Sequence, residues 1–220
     1  MARRELSIQN PRNGRAHCQK DEFALYSDAE LDALIESTLY NDASASDFNR
    51  YPQRDKAKGL ESLLYRCADC GTLYSTRGRG CELVCSACGA RHCLNTLYRF
   101  DDDAVSIPCY YDRIAAMERD ELSALCLPAE VRTKVFGANG GPVRWEDGRC
   151  ELTGKGFSYC SAQTEFFIPI EKLPALAYSC GKEFELYHGD ELCYFYPKEH
   201  PQQAARWALL VDLLRKERKG

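Results

Sequence analysis

The chain has 220 residues, 45% of them hydrophobic and 28% charged, with a formal net charge of -4, which predicts a folded chain of one large domain or two small ones. No apolar run approaches the roughly 18 residues that cross a bilayer, no signal-peptide pattern is read at the start, and the net charge predicts no global attraction to nucleic acid or anionic membrane. Thirteen cysteines raise the question of a disulfide-rich secreted protein, but the count is odd and the densest spacing is that of a metal site, so a reducing cytoplasm is the expectation.

Residues 1–64 read as a helical lead-in. Through residue 49 this piece carries 5 Lys/Arg against 9 Asp/Glu. Ser27-Asp28-Ala29-Glu30 is a capping box, with Ser27 as N-cap and Glu30 three residues on. Leu31, Leu34, Ile35 and Leu39 then recur at helical spacing. Asp42 to Gln53 is polar and broken, and Leu60, Leu63 and Leu64 suggest a short helix running into Cys67.

Residues 65–100 hold the densest chemistry. Cys67-Ala68-Asp69-Cys70-Gly71 and Cys85-Ser86-Ala87-Cys88-Gly89 give the spacing C-x2-C-x14-C-x2-C. Each pair places two sulfurs on a tight knuckle, and the intervening residues allow an out-and-back hairpin, so both knuckles can meet around one tetrahedral ion. Four soft thiolates select zinc. With four protein sulfurs no ligand position stays open, so the Zn2+ expected at Cys67, Cys70, Cys85 and Cys88 is structural. Cys81, Cys93 and His92 are neighbouring alternatives as ligands, disfavoured because they break the symmetry of the pairs. Residues 50–100 carry 9 Lys/Arg against 4 Asp/Glu, the only basic stretch. Arg77 and Arg79, flanked by Gly78 and Gly80, are a candidate anion contact at the hairpin tip.

Residues 112–218 read as a small antiparallel β domain closed by a C-terminal helix. A short helix is expected around Asp112–Leu125, then strands at Val131–Phe136, Val143–Trp145, Cys150–Thr153, Phe157–Cys160, Glu165–Ile170, Glu183–His188 and Glu191–Tyr196. Phe166, Ile168 and Ile170 alternate, as a sheet with one buried face requires. Gly154-Lys155-Gly156 and Gly189-Asp190 mark hairpin turns. A final helix starting near Pro201 presents Ala204, Trp207, Ala208, Val211 and Leu214 on one face. The fold class is therefore α+β: helical piece, zinc ribbon, and curved antiparallel sheet with its helix.

Enzyme signatures are missing from the pattern. The histidines are His17, His92, His188 and His200, with no nucleophile elbow around any serine. Gly137 to Gly141 lacks the lysine of a phosphate loop, and Asp101-Asp102-Asp103 reads as a solvated loop. Tyr194, Phe195 and Tyr196, with Tyr187, read first as strand packing and second as a ligand- or base-stacking surface. Cys18, Cys109, Cys126, Cys150, Cys160, Cys180 and Cys193 read as small buried side chains or bystanders.

Taken together, Leu39-Tyr40-Asn41-Asp42, the run Leu60 to Gly71, the return Leu83 to Gly89, and the segments Gly154 to Leu176, Glu183 to Tyr187 and Tyr194 to Pro197 with the Trp207 helix resemble the region behind the catalytic domain of bacterial phospholipid/glycerol acyltransferases of the 1-acylglycerol-3-phosphate type. The resemblance spans roughly residues 28–216. It implies a zinc ribbon followed by a pleckstrin-homology-like tail, in a cytoplasmic protein peripheral to the inner membrane face. Its implied partners are an acyltransferase catalytic domain or membrane-surface lipid, with phospholipid metabolism as the setting. The histidine and aspartate of those enzymes, separated by four residues, have no counterpart here: the residues five beyond His17, His92, His188 and His200 are Glu22, Leu97, Cys193 and Ala205. The expectation is accordingly a non-catalytic accessory module, with a nucleic-acid-binding ribbon as the alternative. Against that alternative, strong nucleic-acid binding takes about six to ten phosphate contacts.

Overall fold

The computed structural model describes residues 26–39, 50–100, 105–137 and 141–219. Met1–Asp42 and Ala43–Gly220 form two compact units. His17, Cys18, Asp21, Glu22, Asp101–Asp103 and the interior of the Gly137–Gly141 turn lie outside the described residues.

In the first unit, helix α1 spans Asp28–Leu39. Its capping box is formed in both directions. The Ser27 amide donates to Glu30 Oε2 at 2.9 Å, and the Glu30 amide donates to Ser27 Oγ at 3.4 Å. The apolar stripe is only partly covered: Leu31 and Leu34 are half-buried, while Ile35 is 51% exposed.

The second unit opens with a 3-10 turn at Leu60–Ser62, followed by a three-stranded antiparallel sheet of β1 (Thr76–Arg79), β2 (Glu82–Cys85) and β3 (Arg91–Cys93). The expected hairpin is β1–β2, in register from Thr76↔Cys85 to Arg79↔Glu82. Helix α2 (Ile107–Asp120) and a 3-10 turn at Leu122–Ala124 come next. The helix begins five residues before the expected Asp112. Its start is set by Ser106, whose Oγ accepts from the Cys109 amide, and by Pro108 in the first turn, where a missing N–H costs nothing.

Seven strands make the large sheet: β4 (Cys126–Phe136), β5 (Val143–Thr153), β6 (Gly156–Ser161), β7 (Glu165–Pro169), β8 (Ala177–Ser179), β9 (Glu183–His188) and β10 (Glu191–Pro197). Their order is β7-β6-β5-β4-β10-β9-β8, with every neighbour antiparallel, so the first and last strands pair and the sheet curls into a half-barrel. The turns at Gly154-Lys155 and Gly189-Asp190 fall where expected.

Two expected boundaries need correction. β4 starts at Cys126, not Val131, and the separate strands Val143–Trp145 and Cys150–Thr153 are one strand, β5. The bridging residues looked like a loop because two of them serve the fold in unusual ways. Glu146 is buried and held by Arg144 Nε at 2.7 Å, Ser161 Oγ at 2.6 Å and Thr164 Oγ1 at 3.2 Å. Gly148 lies so close to β6 that a Cβ there would sit 2.6 Å from the Cys160 carbonyl oxygen. β8 was not anticipated.

Helix α3 (Gln203–Lys219) fills the concave side of the sheet. Ala204, Trp207, Ala208, Val211 and Leu214 are all buried, as the stripe predicts. The Trp207 ring stacks on Phe184 with centroids 4.9 Å apart, and Phe157 meets it edge-on at 5.6 Å. α3 also has a second face. Ala205 is fully buried in another core with Leu64, Tyr65, Leu83, Leu94, Phe100, Tyr110 and Ile114, and Leu209 packs against both cores. The helix thus covers the ribbon and α2 as well as the sheet.

Charge reinforces that junction. Arg206 on α3 grips Glu118 on α2 through Nε at 3.0 Å and Nη2 at 3.1 Å, and its Nη1 donates to the Tyr74 hydroxyl at 3.3 Å. Arg66 reaches the same carboxylate at 3.6 Å, pairs with Glu121, and donates through Nε to the Gly71 carbonyl at 2.9 Å.

Candidate metal centre

Cys67, Cys70, Cys85 and Cys88 bring their sulfurs within 4.8 Å of one another. Cys67 Sγ lies 3.8 Å from Cys88 Sγ, and Cys70 Sγ lies 3.8 Å from Cys85 Sγ. Metal–sulfur bonds of about 2.3 Å in a tetrahedron give edges of roughly 3.8 Å, so the donor set is spaced to hold one ion. Each knuckle contributes one buried sulfur, Cys67 or Cys85, and one exposed sulfur, Cys70 or Cys88.

The two knuckles repeat each other bond for bond. The Gly71 amide donates to the Cys67 carbonyl at 2.9 Å, and the Gly89 amide to the Cys85 carbonyl at 3.0 Å. The Cys67 amide donates to the Thr72 carbonyl at 3.1 Å, and the Cys85 amide to that of Ala90 at 2.9 Å. Gly71 and Gly89 take φ of 72° and 78°, the left-handed region that favours glycine. The turn in each case aims amides inward at sulfur: those of Asp69 and Cys70 at Cys67, and those of Ala87 and Cys88 at Cys85.

These surroundings divide the thiols. At Cys85, burial opposes ionisation, but the Ser75 hydroxyl 3.2 Å away and the Cys88 and Ala87 amides outweigh it and draw the thiol down to about 6. Thr72, whose Oγ1 is 3.2 Å from the Cys70 sulfur, lowers Cys70 through its hydroxyl and its amide. Burial pushes Cys67 well up. At Cys88 the Ala90 amide pulls downward, and desolvation with the neighbouring Cys70 and Cys85 sulfurs overcomes it. One sulfur in each knuckle, Cys70 and Cys85, is thus shifted toward the thiolate, the form that binds metal.

The neighbouring alternatives take other partners. His92 Nε2 is 2.7 Å from Asp69 Oδ2, and its ring stands edge-on to Phe100 and Tyr110. Cys81 Sγ is 2.7 Å from Cys93 Sγ. Arg77 and Arg79 are exposed on β1, but both flanking glycines have a packing reason. A Cβ at Gly78 would fall 1.9 Å from the Ala57 carbonyl oxygen, and Gly80 turns the hairpin with φ of 60°. Arg77 Nη1 donates to the carbonyls of Thr76 and Tyr74 at 2.7 and 2.9 Å.

A second feature lies on the convex face of the large sheet. Trp145 is 48% exposed, with the Arg132 guanidinium 4.6 Å and the Lys134 ammonium 5.7 Å from its ring centroid. Tyr196 is beside it at 5.6 Å, and Tyr194 packs on Phe136 at 5.3 Å. The alternation of β10 sends Tyr194 and Tyr196 to this face and Phe195 into the core. Reading Val143–Trp145 as a short isolated strand concealed the pairing of Trp145 with Lys134. Ser75 and Thr72 carried no spacing signal that linked them to sulfur.

No protein-family model matches the chain, and no curated protein matches it.

Proposed function

We propose that this chain is a non-catalytic interaction module whose ribbon is held together by one structural zinc ion on Cys67, Cys70, Cys85 and Cys88. The observation that carries this reading is the four-sulfur cluster, with its 3.8 Å edges and duplicated amide-to-carbonyl turns. Four thiolates favour zinc among common divalent ions and leave no position for substrate. Purified under metal-replete conditions, the protein is expected to contain one zinc per chain by elemental analysis. Cys70→Ser should lose it and Cys81→Ser should retain it; a folded, zinc-free wild-type protein would sink the reading.

The binding surface in this proposal is the convex face around Trp145. An exposed tryptophan beside half-buried tyrosines and two cations suits an anionic lipid headgroup surface, where aromatic rings sit at the polar boundary and Lys/Arg meet phosphate. The seven-strand order with its capping helix supports a pleckstrin-homology-like reading of the tail. Association with a phospholipid acyltransferase rests on the resemblance of the segments quoted above. Sedimentation with phosphatidate-containing vesicles should exceed that with pure phosphatidylcholine and fall at least several-fold in Trp145→Ala. Equal binding to both vesicles, or preferential binding to single-stranded oligonucleotide through the same residues, would remove the lipid reading.

A further inference from the structure

Cys81 occupies the turn between β1 and β2, and Cys93 closes β3 on the other side of β2. The Leu94 amide donates to the Cys81 carbonyl at 2.8 Å, and Cys93 pairs in register with Glu82, so backbone bonds bring the two segments together. The sulfurs are 2.7 Å apart, and both residues are partly exposed. A disulfide needs about 2.05 Å between sulfurs, so the two sulfurs have less than an ångström left to close. Neither residue belongs to the four-sulfur cluster.

We propose that Cys81 and Cys93 are a redox site that forms a reversible disulfide under peroxide. One thiolate attacks a peroxide oxygen, giving a sulfenic acid as the O–O bond breaks and one water is released. The second thiol displaces the sulfenic hydroxyl as another water. Two S–H bonds and one O–O bond are lost, one S–S bond and two O–H bonds of the two waters are gained, and two electrons pass from sulfur to peroxide oxygen. A thiol reductant reverses the step by exchange.

The placement gives the bond a consequence. Residues between Cys81 and Cys93 include Cys85 and Cys88, so the disulfide closes a ring around the second knuckle. A short closed ring restricts the conformations open to that knuckle when its ligand sulfurs let go. Oxidation therefore clamps the metal centre. This consequence rests on the metal reading given above; the bond itself does not.

The test treats the full-length reduced protein with hydrogen peroxide, blocks remaining thiols by alkylation and maps the digested peptides by mass spectrometry. A Cys81–Cys93 linked pair, reversed by dithiothreitol and lost in Cys81→Ser and Cys93→Ser, is expected. Both residues staying alkylatable while other cysteines oxidise, or Cys93 joining a different cysteine, would overturn the proposal. Metal transfer to a chelator should be at least tenfold slower in the oxidised than in the reduced wild type, and unchanged by peroxide in Cys81→Ser. Equal rates would remove the clamp. A chain that never holds metal would refute the metal reading instead, with the peptide map still deciding the disulfide.

Discussion

Glu118 is 1% exposed and faces two guanidinium groups, Arg206 at 3.0 Å and Arg66 at 3.6 Å. Both arginines are themselves largely covered, with side-chain exposures of 12% and 8%. Burying such a cluster is offset only while the opposite charge is present, because an unpaired buried ion keeps its desolvation cost without its attraction. Glu118→Ala is expected to lower unfolding stability by about 3–5 kcal/mol, read from urea unfolding midpoints at fixed slope. Arg66 has a second task, since its Nε holds the Gly71 carbonyl at the first knuckle. Glu118→Ala should therefore also accelerate metal loss to a chelator, whereas a like substitution at exposed Glu199 should do neither.

At the scale of elements, α3 is an amphipathic helix with two buried faces instead of one. Trp207→Ala would remove the ring stacked between Phe184 and Phe157 and should cost about 3–5 kcal/mol. Ala205→Leu would overpack the ribbon-side core, where Ala205 is fully buried, and should cost about 1–3 kcal/mol. Near-ultraviolet circular dichroism without denaturant should lose the Trp207 contribution in the first variant and keep it in the second. The sheet-facing stripe was legible because Trp207, Val211 and Leu214 recur at helical spacing. The ribbon-facing side was not, since small Ala205, set between Ala204 and Arg206, carries no periodic signal. Local patterns in general were readable: the capping box at Ser27, the turn at Gly189-Asp190 and the paired cysteines each lie within a few residues. Arg206 and Glu118 stand 88 residues apart, and nothing along the chain announces that pairing. β5 was split in the reading because Glu146 and Gly148 look like loop residues until β6 and its Ser161 are placed against them.

Across the unit from Ala43 to Gly220, the metal knuckles, α2 and α3 form one chain of contacts reaching the large sheet. Arg66 connects the first knuckle to Glu118, Glu118 connects to Arg206, and the helix carrying Arg206 buries Trp207 under the strands. Stripping metal should consequently destabilise both cores together: thermal unfolding followed by Trp207 fluorescence in a Trp145→Phe background and by far-ultraviolet dichroism should shift downward in parallel. Two separated transitions, with the sheet signal unmoved, would show that the junction transmits nothing. The curled sheet has another consequence. Because β7 and β8 are its terminal strands, each offers a row of main-chain donors and acceptors to whatever strand next arrives, including one from a second copy. β8 is a poor template, being only three residues long, whereas β7 is longer and carries Phe167 at 54% exposure. Glu165 at its start and Pro169 at its end act as guards against indefinite growth, so crowding or heating would make the first misdirected contact along the few residues between them.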